Sequence, residues 1–300
     1  MTTIFAFRIP GAAGSLPIAD LAAWAKDNGF GAIDIGRPDS QTVQTIRQAG
    51  LEVGTFDLPG LHLLLSPDAA QREQGAQTIA GAAAQAHDLG LTRAFGVLIP
   101  PDLGQSRADS FRYWAQGWPK ASAALASANI VLALEGWPGP GPQYPALGVA
   151  PETVRALLAV DSAQGSGALK LNYDPSHLTR LGIDPLRFLA EFGTSVVHAH
   201  GKDTAFDMTN RYETGILGAS LAADMPGSAA ANLLDSGEGW WRYCVPGDGV
   251  VDWAGVASGL YAWGYAGMVS MELEDARFNG DWAGEQRGLM KSREYLARIF

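Results

Sequence analysis

The chain has 300 residues, 47% of them hydrophobic and 17% charged, which suits one large folded domain and excludes bulk disorder. Its 31 acidic residues outnumber 21 basic ones, and the net charge of −10 disfavours nucleic acid and anionic membranes as partners. The single cysteine, Cys244, excludes an intrachain disulfide, and no apolar run is long enough to span a bilayer.

The first residues of the chain lack the basic and apolar segments of a signal peptide, so we expect a cytoplasmic protein. The acidic balance favours a small polar molecule as the binding partner. A homo-oligomer is also compatible with this composition.

Short apolar segments alternate with helical patterns along the whole chain. The predicted strands are Ile4–Phe7, Ala32–Ile35, Glu52–Phe56, Arg93–Leu98, Ile130–Glu135, Leu169–Tyr173, Ser195–His200 and Met268–Leu273. Eight strand–helix units in a chain of this length predict one α/β domain over residues 1–300, a closed (β/α)8 or TIM barrel. A doubly wound sheet is the alternative, but Arg8-Ile9-Pro10-Gly11 after the first strand lacks the glycine-rich phosphate turn of that fold.

A long connection, Thr204–Val245, follows the seventh predicted strand. Loops of this length inside a compact domain are usually functional or disordered, and the aromatic residues Trp240 and Trp241 argue against disorder. The loops that follow barrel strands form the catalytic face. We therefore expect this insertion, between the seventh strand and the seventh helix, to lie over or beside that face.

Acidic and imidazole side chains end four successive predicted strands: Glu135, Asp174, His200 and Glu272. Side chains alternate along a strand, so each of the four ends a row that faces the barrel interior. Three carboxylates at one rim would repel one another without a cation. Oxygen ligands with one histidine suit Mn²⁺ first, with Mg²⁺, Co²⁺ or Zn²⁺ as alternatives. The pattern predicts a divalent-metal site, with His198 one layer deeper as a core histidine.

Four segments of the C-terminal half carry recognisable motifs. They are Asn172–His177 (NYDPSH), His198–Asp203 (HAHGKD), Pro246–Trp253 (PGDGVVDW) and Ser270–Asp275 (SMELED). Together they resemble the xylose-isomerase-like barrel superfamily, and within it the sugar phosphate isomerase/epimerase group. The resemblance covers nearly the whole chain and is strongest from Ile130 onward.

The resemblance implies a metal-dependent isomerase or epimerase of a keto-sugar or related polyol, an enzyme of carbohydrate metabolism. The metal ligands it implies are Glu135, Asp174, His200 and Glu272. A metal that binds the substrate carbonyl acidifies the neighbouring C–H. Glu135 and Glu272 are then the expected acid/base pair, with an enediolate as the intermediate. His177, three residues after Asp174, is implied to reach the substrate.

Other activities use the same kind of barrel. A keto-sugar or inosose dehydratase or lyase shares the first proton abstraction, and Phe206 stands where some ketose epimerases carry an arginine. An apurinic-site endonuclease needs a cluster of three zinc ions and more histidines than the 5 present, and the net charge opposes DNA. A non-enzymatic subunit with a vestigial site is the remaining alternative, and the intact ligand quartet argues against it.

Four further residues are predicted to contact substrate: His62, Trp137, Lys202 and Arg242. His62 follows the third strand, where relatives carry an active-site histidine, and Trp137 is placed to form a wall for a sugar. Lys202 has an alternative role in a structural ion pair with Asp203 beneath the site. The sequence lacks a cluster of arginines or glycines for a phosphate group, which favours an unphosphorylated substrate.

Overall fold

The computed structural model describes residues 3–141, 143–216 and 239–300. The strands in this part of the chain are β1 (Ile4–Arg8), β2 (Ala32–Ile35), β3 (Glu52–Asp57), β4 (Arg93–Gly96), β5 (Val131–Glu135), β6 (Leu169–Tyr173), β7 (Val196–Gly201), β8 (Asp203–Phe206), β9 (Trp241–Cys244) and β10 (Met268–Met271). Eight of them close into a parallel barrel in the order β1-β10-β7-β6-β5-β4-β3-β2, which confirms the predicted TIM barrel. The other two, β8 and β9, pair as an antiparallel hairpin.

The α-helices of the described residues are α1 (Ile18–Asp27), α2 (Ser40–Gln48), α3 (Ala69–Asp88), α4 (Arg107–Ser127), α5 (Pro151–Gln164), α6 (Pro175–Arg180), α7 (Pro185–Phe192), α8 (Met208–Thr214), α9 (Trp253–Ala262) and α10 (Trp282–Leu296). A helix follows every barrel strand, as this architecture requires. Asp184 and Asp252 cap α7 and α9 through their side chains, because a carboxylate satisfies backbone N–H groups that have no partner within the helix. Among these helices none is long and apolar enough to cross a membrane.

The barrel strands are buried on both faces, since helices cover the outside and side chains fill the interior. All four residues of β2 and all four of β10 are buried. Polar side chains interrupt this apolar interior at a few positions, among them Asp34 in β2, Asn172 in β6 and His198 in β7. Burial of such groups is costly unless they are hydrogen-bonded, so these positions mark the part of the interior with a special role.

The predicted long connection is anchored to the barrel at both ends. The hairpin register places Asp203, the first residue of β8, opposite Cys244 at the end of the connection. Between the two strands α8 is described, whereas 217–238 lie outside the described residues. The expectation that the whole connection lies over or beside the catalytic face therefore falls partly outside the part of the chain that the structure describes.

Candidate metal centre

The four predicted ligands converge at one point of the barrel rim. Glu135 ends β5, Asp174 follows β6, His200 lies in β7 and Glu272 follows β10. One nitrogen or oxygen atom of each residue lies within 4.8 Å of those of the other three. Three of the residues are almost fully buried, and Glu272, with a side chain 13% exposed, is the member closest to solvent.

Asp174 is positioned by the helix that it begins. Its Oδ1 accepts hydrogen bonds from the backbone N–H and the hydroxyl of Ser176, at 2.8 and 2.6 Å, and so caps α6. Its Oδ2 is buried and has no hydrogen-bond partner, although Lys202 Nζ lies 3.3 Å away. The cap thus fixes the carboxylate while one oxygen remains available to a cation.

The ring of His200 lies among the three carboxylates. Its Nδ1 is 3.1 Å from Glu135 Oε2, 3.3 Å from Glu272 Oε2 and 3.8 Å from Asp174 Oδ2, yet it makes no hydrogen bond. Burial disfavours a charged ring here, but the negative charges of Glu272 and Glu135 outweigh it and hold the pKa of His200 well above its ordinary value. The cluster therefore stabilises a positive charge at its centre. A divalent cation would supply that charge instead of a proton, because a histidine that binds a metal does so as neutral imidazole.

His177 connects the cluster to the hairpin β8–β9. Its Nε2 lies 2.6 Å from Glu135 Oε1, and its Nδ1 lies 2.6 Å from the hydroxyl oxygen of Tyr243. Burial raises the pKa of Tyr243 well above its usual value, so the phenol stays protonated and donates to Nδ1. With Nδ1 accepting from the phenol, Nε2 is placed to donate to Glu135 Oε1. Nothing in the sequence singles out Tyr243 beyond its place in the aromatic run 240–243.

Lys202 is a buried cation among carboxylates. Its side chain is 1% exposed, and its ammonium group contacts Glu272 and lies 2.8 Å from Glu274 Oε2 and 3.3 Å from Asp174 Oδ2. Burial opposes the charge, but these carboxylates outweigh it and raise the pKa of Lys202 well above its ordinary value. Lys202 is therefore a permanent positive charge at the edge of the cluster.

Asp203 does not pair with Lys202, so the alternative ion pair between the two residues is wrong. Its carboxylate instead accepts hydrogen bonds from the N–H of Gly247 at 3.1 Å and from the indole of Trp253 at 3.0 Å. A Cβ on Gly249 would lie 2.1 Å from Asp203 Oδ1, which explains the glycine at that position. The Pro-Gly-Asp-Gly turn before α9 is thus built around this carboxylate.

A second polar layer lies beneath the cluster. Asp34 Oδ1 accepts a hydrogen bond from a backbone N–H at 2.6 Å, and its Oδ2 accepts one from the Ser270 hydroxyl. His198 Nε2 lies 3.3 Å from Asp34 Oδ2, and His198 Nδ1 lies 2.9 Å from Asn172 Oδ1. The amide of Asn172 donates in turn to Glu135 Oε2 at 2.9 Å. This network holds Glu135 from below.

Asp34 also approaches His200, the predicted metal ligand. One atom each of Asp34, His198 and His200 lie within 4.8 Å of one another. Histidines that bind metals usually direct their second ring nitrogen to a carboxylate, which fixes the ring orientation, and Asp34 is the carboxylate placed for that role. In the sequence, Asp34 is recognisable as an acidic residue between Ile33 and Ile35. The strand that contains it is buried throughout.

The barrel wall next to Glu272 is formed by the ends of β1, β3 and β4. Arg8 at the end of β1 pairs with Asp57 at the end of β3, and the ring of Phe95 from β4 stacks on His200 with centroids 5.4 Å apart. Arg8, Asp57, Phe95 and the predicted contact residue His62 line one cavity of about 370 Å³. His62 therefore lies in a cavity that begins beside the cluster.

The remaining predicted contact residues have no hydrogen bond, ion pair or ring contact with the four ligands in the described part of the chain. Trp137 is half-buried, two residues after the end of β5. Arg242 lies in β9, with its guanidinium 3.6 Å from Asp275, and lines a separate cavity of about 480 Å³ beside the hairpin. Trp240 and Trp241 are 8% and 5% exposed, so both indoles are packed.

The donor set fits a divalent cation. Two buried polar atoms, His200 Nδ1 and Asp174 Oδ2, have no hydrogen-bond partner and face the same small space. The carboxylates of Glu135, Asp174 and Glu272 carry three negative charges, and the single ammonium of Lys202 is shared by Asp174, Glu272 and the neighbouring Glu274. A doubly charged ion would offset the negative charge that remains.

Barrel and cluster together define a class: (β/α)8 proteins with a carboxylate-rich site, able to hold a metal, at the carboxyl ends of the strands. Residues 22–298 match the family model described as the xylose isomerase-like TIM barrel, and the chain belongs to that family. The resemblance seen in the sequence motifs is confirmed.

Individual relatives are more distant. A stretch of 109 residues is 34% identical to the uncharacterized protein YfiH of Bacillus subtilis (strain 168), and this match spans 35% of the present chain and 31% of that relative. The fold is similar to that of D-psicose 3-epimerase from Clostridium cellulolyticum H10, solved with D-tagatose, with a TM-score of 0.71 and 12% identity over 99% of both chains. It is also similar to the IOLI protein, solved with a zinc atom, with a TM-score of 0.70 and 15% identity over 99% of both chains. At these identities the likeness shows the fold.

Proposed function

We propose that the protein is a metal-dependent isomerase or epimerase that acts on a keto-sugar or a related cyclitol. The observation that carries this proposal is the cluster of Glu135, Asp174, His200 and Glu272, whose ligand atoms lie within 4.8 Å of one another. The fold shared with a D-psicose 3-epimerase supports the reaction class. Under this proposal residues 1–300 act as one domain, with the 204–245 insertion beside the catalytic face.

The cluster would hold one divalent cation through three carboxylates and one imidazole. Mn²⁺ suits this oxygen-rich set, with Mg²⁺, Co²⁺ or Zn²⁺ as alternatives, and the zinc atom in the IOLI structure supports a metal in sites of this kind. A cation bound there would polarise a substrate carbonyl and make the adjacent C–H more acidic.

Glu135 and Glu272 would remove and return the substrate proton. Burial opposes the charge of Glu135, but His200 and His177 outweigh it and hold its pKa well below the ordinary value. Burial likewise opposes the charge of Glu272, and Lys202 lowers its pKa to about 2. Both residues are therefore ionised, which is the form that a general base requires. They reach the cluster from β5 and β10, on either side of the strands that carry Asp174 and His200.

A keto-sugar or inosose dehydratase or lyase is the second candidate, because elimination begins with the same proton abstraction. Elimination also needs an acid that protonates the departing hydroxyl group. The carboxylic acid formed when Glu135 or Glu272 takes the C–H proton would return that proton to the departing hydroxyl group, and the ammonium of Lys202, which contacts Glu272, would donate a hydrogen bond to the same oxygen. An apurinic-site endonuclease is disfavoured, since a net charge of −10 opposes DNA binding.

Proton exchange tests the proposal. The Mn²⁺-loaded protein is incubated in D₂O with a panel of ketoses and inososes, and the sugars are followed by NMR and mass spectrometry. An isomerase or epimerase incorporates deuterium next to the carbonyl without loss of water, whereas a dehydratase releases water. Protein stripped with a chelator should do neither. Equal exchange with and without metal, or none with any sugar in the panel, would contradict the proposal.

A further inference from the structure

Arg8 is a cation beside the cluster that the proposed proton transfer does not use. Its Nη2 donates to both carboxylate oxygens of Asp57, at 2.8 and 3.0 Å, and its Nε lies 3.6 Å from Glu272 Oε1. Its Nη1 is buried and has no hydrogen-bond partner. A buried N–H without an acceptor is unfavourable, so this atom is suited to an acceptor that a bound molecule supplies.

A continuous stack of side chains connects Arg8 to the metal centre. The guanidinium lies over the ring of Phe95, 4.4 Å from its centroid, and that ring stacks on His200. Arg8, Asp57 and Phe95 also line the cavity of about 370 Å³ described above. A molecule that binds at the cluster and extends along this wall therefore meets the Arg8–Asp57 pair, whose side chains are 24% and 43% exposed.

The local charges favour a neutral acceptor at Nη1. The positive charge of Arg8 is already matched by Asp57, and Glu272 lies on its other side. A carboxylate or phosphate at Nη1 would approach these two anions, which disfavours its charge. A hydroxyl group meets no such repulsion, because its oxygen accepts from Nη1 while its proton is donated to Asp57, whose side chain is 43% exposed.

We propose that the Arg8–Asp57 pair binds a hydroxyl group of the substrate remote from the reacting carbonyl, and so selects a neutral polyhydroxy substrate. The identity of the reacting end rests on the function proposed above, whereas the binding of the hydroxyl group does not. Arg8 is then a specificity-determining residue that fixes how the substrate lies between the metal centre and the cavity.

The first experiment compares two substrates in two variants. A ketose that exchanges its C–H proton is set against its analogue without the terminal hydroxyl, and kcat/KM is measured for both. The wild type should prefer the complete sugar by roughly 10- to 100-fold, as expected for a hydrogen bond to a charged donor. Arg8→Met should reduce that preference to less than about 3-fold, because the donor is gone. Full discrimination in Arg8→Met would overturn the proposal.

Two further variants separate binding from damage to the fold. Arg8→Lys keeps the positive charge but replaces the planar guanidinium with one ammonium group. This variant should lose most of the preference for the complete sugar, while its metal content and Tm stay at the wild-type values. Arg155→Met removes an arginine that pairs with Glu191 on the exposed helices α5 and α7, and it should keep the wild-type preference. Equal loss of preference in Arg155→Met would show an indirect effect and contradict the proposal.

The second experiment needs no turnover. Sorbitol, gluconate and sorbitol 6-phosphate carry a hydroxyl, a carboxylate and a phosphate at one end of the same carbon chain, and their binding to the Mn²⁺-loaded protein is measured by calorimetry. Sorbitol should bind most tightly, and Arg8→Met should weaken it about 10-fold. Tighter, Arg8-dependent binding of gluconate or of the phosphate would mean that the pair recognises that anion, and would overturn the proposal.

The two experiments also distinguish this inference from the proposed function. Arg8-dependent sorbitol binding in a protein that exchanges no sugar would refute the isomerase proposal and leave the inference intact. Normal exchange together with wild-type discrimination in Arg8→Met would support the isomerase proposal and refute the role of Arg8.

Discussion

Two histidines of β7, two residues apart, lie in different layers of the same barrel interior. His200 faces three carboxylates at 3.1 to 3.8 Å, and neither of its ring nitrogens makes a hydrogen bond. His198 lies deeper, where its Nδ1 is 2.9 Å from Asn172 Oδ1 and its Nε2 is 3.3 Å from Asp34 Oδ2. In the upper layer both ring nitrogens of His200 lack a hydrogen-bond partner, whereas in the lower layer Asp34, Asn172 and His198 Nδ1 have partners within the protein.

The difference suggests separate roles for the two layers, one as a support and the other as a ligand site. Buried groups that are hydrogen-bonded inside the protein, such as Asp34, Asn172 and His198 Nδ1, resist rearrangement, so the lower layer can act as a rigid support. Unpaired groups held on such a support are preorganised for a ligand, because they need no rearrangement when it binds. Variants in the upper layer should therefore affect chemistry most, and variants in the lower layer should act through it.

The largest effect is expected for Glu272→Gln in the upper layer. The amide oxygen can still contact a metal, but the side chain can no longer accept a proton, so C–H exchange should fall by about 10³-fold while metal is retained. NMR of deuterium incorporation and elemental analysis of the same samples measure both quantities. Glu52→Gln, an exposed position at the start of β3, should behave as the wild type. Wild-type exchange in a metal-loaded Glu272→Gln protein would place the base elsewhere.

A smaller effect is expected for Asn172→Ala in the lower layer. This change removes the donor to Glu135 Oε2 and the acceptor for His198, and exchange should fall by about 10- to 100-fold, as for other residues that support metal ligands. The free energy of unfolding should fall by about 1–3 kcal/mol, measured in urea. Ser292→Ala, which removes a buried hydrogen bond on α10, should lower stability without lowering exchange per folded molecule. If both variants lowered exchange equally, the lower layer would have no specific support role.

The smallest effect concerns the pH dependence of metal binding. The raised pKa of His200 means that its ring is protonated in the metal-free protein near neutral pH, and the metal must displace that proton. Mn²⁺ affinity should therefore increase by about tenfold for each pH unit up to that pKa, with about one proton released. The pKa values of Glu135 and Glu272 are lowered, so these carboxylates should release none. Calorimetry in buffers of different ionisation enthalpy counts the protons, and His87→Gln on α3 is the control. Affinity that did not change with pH would contradict the prediction.

The barrel and the convergence of its strand ends were predictable from local patterns. Strand periodicity assigns each side chain to a face, and a closed parallel barrel brings all carboxyl ends to one rim. Those two rules suffice to bring Glu135, Asp174, His200 and Glu272 together, whatever the details of packing.

The contacts around those four residues depend on packing between distant parts of the chain. Tyr243 follows His177 by 66 residues, and Ser270 follows Asp34 by 236, so no local pattern reports either contact. The pairing of Arg8 with Asp57 and the partners of Lys202 depend on side-chain direction, which strand periodicity gives only to the level of a face. The wrong pairing of Lys202 with Asp203 has this cause, since adjacent residues of an extended chain point in opposite directions.

The hairpin β8–β9 has an evolutionary consequence. Its four paired positions bring the chain back to the barrel at the point where it left, with Phe206 opposite Trp241. When the ends of a loop are held together in this way, each doubling of the loop length costs only about 0.6 kcal/mol in chain entropy. The segment between the two strands can thus be lengthened, shortened or exchanged in descendants of the gene, while Tyr243 keeps its hydrogen bond to His177. The cluster at the strand ends and the segment between β8 and β9 can thus change independently of each other.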